Sequence, residues 1–421
     1  MKRTDLFIKF AALLLVVGAF VSVPAQAPKQ EQLLNGLNVL MWPDKGADKV
    51  TVRIRIHAGS AFDPRAKEGT MQLLADNLFP NDAARDFFTE DLGGSLDIVT
   101  TYDYIQITAS STPDQFLTML ETLASAVSNP TIDKETTAKI KAALIVKLKS
   151  RESDPAYLAD RAAANRLLGS YPYGRSQMGT MDSLGAITFA DLIDARQRFL
   201  TADDATIAIS GNFDRALAFK AARRYFGSWL KSDKRVPSTF RQPDDPAAGL
   251  LTVASPQPGV AAIRAALRGA ARGASDFATS EVYERLLQSR LKARVPAENA
   301  ENVFVTSESH VQPGVIMIGF AASKNDVGSG NGKIEANDLI AKLLSDPITD
   351  QEFAAAKSLA VAGWQRKSIE EFWLDADTYK IASVDADRAS LDKVTLSDVR
   401  AFADRIRQQP IAMVLVNTPA K

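Results

Sequence analysis

One pattern occurs twice in this chain of 421 residues and constrains its fold more than any other feature. The segment Ile187-Thr-Phe-Ala-Asp-Leu-Ile-Asp-Ala-Arg-Gln-Arg-Phe199, followed by Thr206-Ile-Ala-Ile-Ser210, parallels Val394-Thr-Leu-Ser-Asp-Val-Arg-Ala-Phe-Ala-Asp-Arg-Ile406, followed by Ile411-Ala-Met-Val-Leu-Val416. Both helix-like segments open with a threonine at the N-cap and an aspartate three residues on, Thr188/Asp191 and Thr395/Asp398, where side-chain oxygens accept orphan amide protons. Arg53 to Asp63 likewise echoes Arg264 to Asp276, each running through a strand and a small-residue step to an acidic turn. Caps alone are commonplace. Their recurrence before matching strands, in the same order, predicts a duplication and hence two homologous domains.

Local patterning supplies the class. Asn35-Gly36 is a tight-turn signal, with Leu37 to Trp42 reading as the second strand of a hairpin. Val50, Val52, Ile54 and Ile56 alternate with Thr51, Arg53, Arg55 and His57, which predicts a strand with one buried face. Gly69–Leu78, Phe116–Val127 and Lys134–Ser150 read as helices, Ile105 and Ile107 as strand after the Gly93-Gly94 break, and Thr206–Ser210 as a further strand. There is no regular βαβ alternation, so the expected class is α+β, each domain a mostly antiparallel sheet with helices packed on it. The chain exceeds the usual size of one core. Val236 to Gly249 holds three prolines and no periodicity, and reads as the linker between an N-terminal domain, 28–235, and a C-terminal one, 250–421.

The first residues read as an export signal. Lys2 and Arg3 precede an apolar run from Phe7 to Val23 and a small-x-small site at Ala25-Gln26-Ala27, so 1–27 is expected to be a signal peptide and the protein periplasmic or exported. Pro28 leaves a cut after Ala25 open. An uncleaved membrane anchor is the alternative, against which Lys9 interrupts the run.

Chemistry is narrowed mostly by what is missing. The 50 Lys+Arg balance 50 Asp+Glu, which gives no electrostatic case for nucleic acid. Without cysteine there are no disulfides, thiolate metal sites or cysteine nucleophiles. Only two histidines occur, His57 and His310, so a zinc site would need mostly oxygen ligands, unusual for that metal. Each reads instead as a solvent-facing or hydrogen-bonded structural residue. No G-x-S-x-G elbow, P-loop or Rossmann fingerprint occurs. Gly328-Ser-Gly-Asn-Gly-Lys333 reads as a flexible loop, since Val327 and Ile334 stand where a Walker motif needs glycine and Ser/Thr. Glu281, Glu284 and Glu301 read as solvated faces, and Trp364, Phe372 and Trp373 as core, or else as the lining of an interface.

The order of segments resembles the pitrilysin/insulinase family of inverzincin peptidases. The matching text runs from Asn35-Gly36-Leu37 through His57-Ala-Gly59-Ser60-Ala-Phe-Asp63 and Lys67-Glu68-Gly69-Thr-Met-Gln72-Leu-Leu-Ala75-Asp76. It continues through Gly93-Gly94-Ser-Leu96, Asp154-Pro155 and Tyr171-Pro-Tyr-Gly174-Arg175 to Gly211-Asn212, with weaker echoes at Ser289-Arg290-Leu291 and Asp346 to Glu352. In active members a helical H-x-x-E-H supplies two zinc-binding imidazoles on one face and a glutamate that activates the bound water. The matching positions here are Gln72, Ala75 and Asp76, and the later ligand glutamate falls near Ile140. By resemblance, then, no catalytic, metal or cofactor residue remains; a residual site from Gln72, Asp76 and Glu152 is the lesser reading. The R-x-x-x-G-L-x-Y element by which some zinc-free members hold substrate is not recognisable after Arg290, and Arg294 reads as a surface arginine.

The resemblance implies half of a pitrilysin-type clamshell of four homologous domains. It points to a catalytically inactive homologue that pairs, as a heterodimer, with a zinc-bearing homologous peptidase subunit and walls a chamber for peptide substrates. The alternative is a scaffold or peptide-binding protein with no peptidase partner; an active enzyme using a different site is a third reading.

Overall fold

A computed structural model describes residues 27–232, 240–295, 297, 300–322 and 332–418. Apart from Ala27 the signal-peptide segment lies outside the described residues, as do 236–239 of the expected linker and 328–331 of the glycine cluster. No helix among the described residues is long and apolar enough to cross a membrane.

Two sheets form, and one is a near copy of the other. The first has strands β1 (Lys29–Gln32), β2 (Asn38–Pro43), β3 (Val50–Ile56), β4 (Ser95–Thr100), β5 (Ile105–Ser111) and β6 (Ala205–Gly211), in the order β1-β2-β6-β3-β5-β4. The second has β7 (Leu250–Ala254), β8 (Ala261–Arg268), β9 (Val303–Glu308), β10 (Val315–Ala322) and β11 (Ala412–Asn417), in the order β7-β11-β8-β10-β9. Aligned on β6 and β11, every neighbour corresponds in sense: β2·β6 and β7·β11 are parallel, and the rest of each ladder is antiparallel. Among the described residues only β1 has no counterpart. The class is α+β, with helices packed on two mostly antiparallel sheets.

The repeated text sits where that symmetry requires. Helices are numbered α1 (Thr70–Asp76), α2 (Lys134–Glu152), α3 (Pro155–Leu168), α4 (Phe189–Phe199), α5 (Phe277–Arg294), α6 (Asp350–Gln365), α7 (Ile369–Tyr379) and α8 (Leu396–Arg407). Both α4 and α8 open on complete capping boxes: the Asp191 carboxylate accepts from Thr188 N at 2.8 Å, and that of Asp398 from Thr395 N at 2.8 Å, while each threonine hydroxyl accepts from the aspartate amide. Each then leads into β6 or β11, strands buried on both faces, hence their continuous apolar runs.

Packing follows from alternation. Val50, Val52, Ile54 and Ile56 of β3 are all buried, with Ile54 between Ile107 of β5 and Ile207 of β6. Each such side chain contributes about 1.5–3 kcal/mol of hydrophobic stabilisation. The opposite face of β3 departs from expectation. Arg55 is 3 % exposed, because α7 of the second half lies over that face and buries Leu374 against Leu40, Trp42 and Ala208. The converse occurs on the second sheet, where α3 of the first half sets Ala159, Ala163 and Leu167 against Ala262, Ala266 and Val414. Each half therefore lends one helix to the outer face of the other's sheet.

Candidate functional site

Helix α1 carries Gln72, Ala75 and Asp76, the positions that the resemblance matches to H-x-x-E-H, and its start is held from several sides. The buried Asp63 carboxylate accepts from Gly69 N at 2.7 Å and Met71 N at 2.8 Å, satisfying two of the orphan donors of a helix N-terminus. Gly69 stands at φ +98°, and a Cβ there would lie 2.8 Å from the carbonyl oxygen of Met178, so both conformation and space require glycine. Arg175 ties the approach down by donating to the carbonyl oxygens of Asp63 at 2.9 Å and Ala61 at 3.0 Å.

On the helix so fixed, Gln72 and Asp76 share a face, and the Gln72 amide donates to Asp76 Oδ1 at 3.0 Å. Ala75 is buried. Asp76 and Ile140 line one cavity of about 370 Å³ with Arg85, Lys139 and Lys147, and Ile140 also packs on the core of the first half. Burial raises the Asp76 carboxyl above its ordinary range, outweighing the Gln72 hydrogen bond and the charges of Lys147 and Arg85. Glu152 is not brought here: it lies twelve residues beyond Ile140 on α2, roughly 18 Å along the axis, paired with Arg161 at 3.5 Å. The donor set does not fit zinc. Gln72 and Asp76 offer one amide and one carboxylate bonded to each other, Ala75 and Ile140 offer no donor atom, and the cations facing Asp76 compete for its charge.

Both histidines occupy hydrogen-bonded positions between the halves. His57 closes β3 with Nδ1 3.1 Å from Thr378 Oγ1, Nε2 3.1 Å from Thr206 Oγ1, and Asp377 Oδ2 at 3.4 Å. His310, after β9, is buried with Nδ1 3.1 Å from Asp103 Oδ2, and Asp103 also accepts from Tyr173 Oη at 2.9 Å. Burial favours the neutral ring, but the hydrogen bond to Asp103 and the nearby Glu308 carboxylate prevail and raise the His310 pKa to about 9. The pairs are reciprocal: each histidine faces an aspartate of the other half.

Sequence reading missed a second cross-half cluster. Asp375 of α7 accepts from Arg55 at 2.7 Å, lies 3.6 Å from Arg272, and pairs with Lys367, while Arg272 also holds Asp387. Only an arginine on the polar face of a strand announced it.

The solvated reading of the C-terminal acids needs correction. Glu301 is exposed and Glu281 half-buried, but Glu284 is buried. Its carboxylate accepts from Ser307 N at 3.0 Å, and on the next turn of α5 Gln288 accepts from Val305 N and donates to Val303 O at 3.2 Å. These side chains satisfy the outer main chain of edge strand β9, a position that solvation could not reveal. Burial, then the nearby charge of Glu281, pushes the Glu284 carboxyl up to about 7. Arg290 is likewise buried, donating to both oxygens of Glu352 and to the carbonyls of Asp346 and Pro347. Arg294 is half-buried beside Asp346 rather than free on the surface. Phe372 is core, edge-to-face with the half-buried Trp364 at 5.2 Å, and Trp373 packs against the Leu40–Leu374 cluster between the halves.

Comparison with known proteins agrees with this architecture. Residues 38–180 match the family described as insulinase (peptidase family M16), and residues 186–359 match the peptidase M16 inactive domain. An uncharacterized zinc protease of Mycobacterium tuberculosis is 25% identical over 217 residues, which are 50% of this chain and 49% of that protein. The mitochondrial-processing peptidase subunit beta of Saccharomyces cerevisiae is 23% identical over 227 residues, 51% of this chain and 48% of that one. The match thus spans about half the length of these curated relatives. In fold, a crystal structure of a peptidase M16 inactive domain from Pseudomonas fluorescens superposes with a TM-score of 0.81 at 19% identity, covering 94% of this chain and 98% of that one. The periplasmic protease PqqL of Escherichia coli gives 0.70 at 13% identity, with 94% of this chain covering 48% of the other. With both halves matched by the same family and the duplicated sheets arranged as half of its clamshell, this chain belongs to the insulinase-type peptidase family M16.

Proposed function

We propose that the chain is a non-catalytic member of this family, exported to the periplasm, which pairs with a zinc-bearing homologue to wall a peptide-degrading chamber. The observation that carries the reading is the fate of Gln72 and Asp76: the i, i+4 pair that would hold the metal is spent on a mutual hydrogen bond beneath Arg85 and Lys147. The match to half of a longer periplasmic protease supports the idea that a second half completes the chamber. In this proposal the domains are 28–235 and 250–421, joined by 236–249, behind a signal peptide at 1–27.

A second reading is a peptide-binding or scaffold protein without a peptidase partner. It is favoured by β4, an edge strand beside α1 whose outer side no other strand covers among the described residues and on which Val99 is exposed; such edges accept extended peptides by strand addition. A native pull-down of the mature chain from its own cells, with zinc content and peptide cleavage assayed on the chain alone and on any complex, separates the two. Copurification of a homologue with intact H-x-x-E-H, zinc and activity supports the subunit reading. An inert complex without such a homologue supports the second. Zinc binding and cleavage by the isolated chain would overturn both.

A further inference from the structure

A second cavity of about 370 Å³ opens where α3, the Tyr173–Met178 segment and the outer ends of β9 and β10 meet. Its volume falls at the lower end of the roughly 300–1,000 Å³ of ligand sites. Tyr157, Phe304, Met317 and Tyr102 give it an apolar, largely aromatic lining, and Arg151 and Arg161 flank the Tyr157 ring at 5.8 and 5.7 Å. Arg151 is one helical turn from Lys147, which lines the cavity below Asp76.

The charges around it do not balance. Asp160 is paired with Arg264, Glu308 with His310 at 3.7 Å, Arg161 with Glu152 at 3.5 Å, and Arg175 with Glu68 at 3.8 Å. Arg151 has no carboxylate partner among the described residues, lines the cavity and is an exposed residue. An apolar pocket with one uncompensated guanidinium selects a ligand with an apolar body and one carboxylate. An amine is less favoured, because both acids lining the cavity stand beside cations of their own, Asp160 beside Arg264 and Glu308 beside His310. Guanidinium forks also match carboxylates bidentately.

We propose that this cavity binds the C-terminal residue of a peptide, its apolar side chain on the Tyr157/Phe304/Met317 wall and its α-carboxylate on Arg151. The inference deepens the peptide-handling reading and tests separately from it: a chain that copurifies with a zinc-bearing partner yet ignores the peptide terminus would sink only this proposal.

The test is calorimetric titration of the mature chain with acetyl-Ala-Ala-Phe bearing a free carboxylate, with its C-terminal amide, and with 3-phenylpropionate. The free-acid peptide should bind best, with the amide about tenfold weaker, the loss expected for one charge-assisted hydrogen bond. R151Q should lower affinity for the acid about tenfold and leave the amide unchanged. Because Arg151 is exposed, the variant should keep its fold, which circular dichroism checks. Equal binding of acid and amide, no effect of R151Q, or 3-phenylpropionate binding as tightly as the peptide would each overturn the assignment.

Discussion

Replacing Asp375 by alanine should be among the most damaging single changes outside the hydrophobic core. Asp375 is 7 % exposed and joins three cations, two of them, Arg55 and Arg272, 3 % and 5 % exposed. Burial alone would raise its carboxyl pKa, but Lys367, Arg55 and Arg272 hold it below the ordinary range, so the group is an anion in the folded chain. Breaking a buried pair by removing one partner costs about 3–5 kcal/mol, because the remaining charge stays desolvated. The low end applies here. Arg272 keeps its bidentate hold on Asp387, Lys367 is a quarter exposed, and Arg55 retains Gln106 at 2.8 Å and the Tyr104 ring at 4.1 Å. For a cooperative unit of this size, about 3 kcal/mol corresponds to a fall in Tm of roughly 3–4 °C. Urea unfolding of the mature chain measures it directly, and the double variant R55M/D375L, which removes the charge pair rather than one side of it, should recover most of the loss. A D375A cost below about 1 kcal/mol, or a double variant worse than D375A, would refute the claim that a desolvated charge sets the penalty.

Three further outcomes are expected. His310, whose pKa rises from an ordinary 6.5 to about 9, contributes stability that is fully present below pH 6.5 and lost as pH rises through about 9; H310Q should flatten that slope in unfolding curves taken between pH 6 and 10. Restoring zinc ligands on α1 alone, as Q72H/A75E/D76H, should leave the protein without stoichiometric zinc by mass spectrometry. Adding K147E should raise its zinc content well above that of the triple variant, because the Lys147 charge then no longer opposes a cation at this site. Finally, E284A/Q288A should uncover the outer edge of β9 and cause concentration-dependent self-association in sedimentation velocity; a strictly monomeric variant would show that the edge is protected by something else.

What was legible in the sequence was local. Capping at Thr188 and Thr395, alternation through β3, and the Asn35-Gly36 turn depend on residues a few positions apart, so their physics is written in adjacent letters. Duplication was legible because it repeats such local signals in order. The family resemblance then placed Gln72, Ala75 and Asp76 on one helix, and Asp76 and Ile140 line one cavity. Contacts between the halves were not legible. Arg55 meets Asp375 across 320 positions and His310 meets Asp103 across 207; nothing local distinguishes an arginine facing water from one facing a helix of the other half. Glu284 was misread for the same reason, because only the second sheet's edge makes a use for a buried carboxylate.

The exchange of α3 and α7 between the two sheets has a mechanical consequence. The proline-rich stretch 236–249, expected from its sequence to be a linker, invites a picture of two lobes swinging about a joint. Here swinging would have to strip a helix from the back of each sheet at once and part Arg55 from Asp375 and His310 from Asp103. The two halves should therefore move as one stiff leaf, and in the proposed peptide chamber any opening would pivot where this leaf meets its counterpart rather than between its own two sheets.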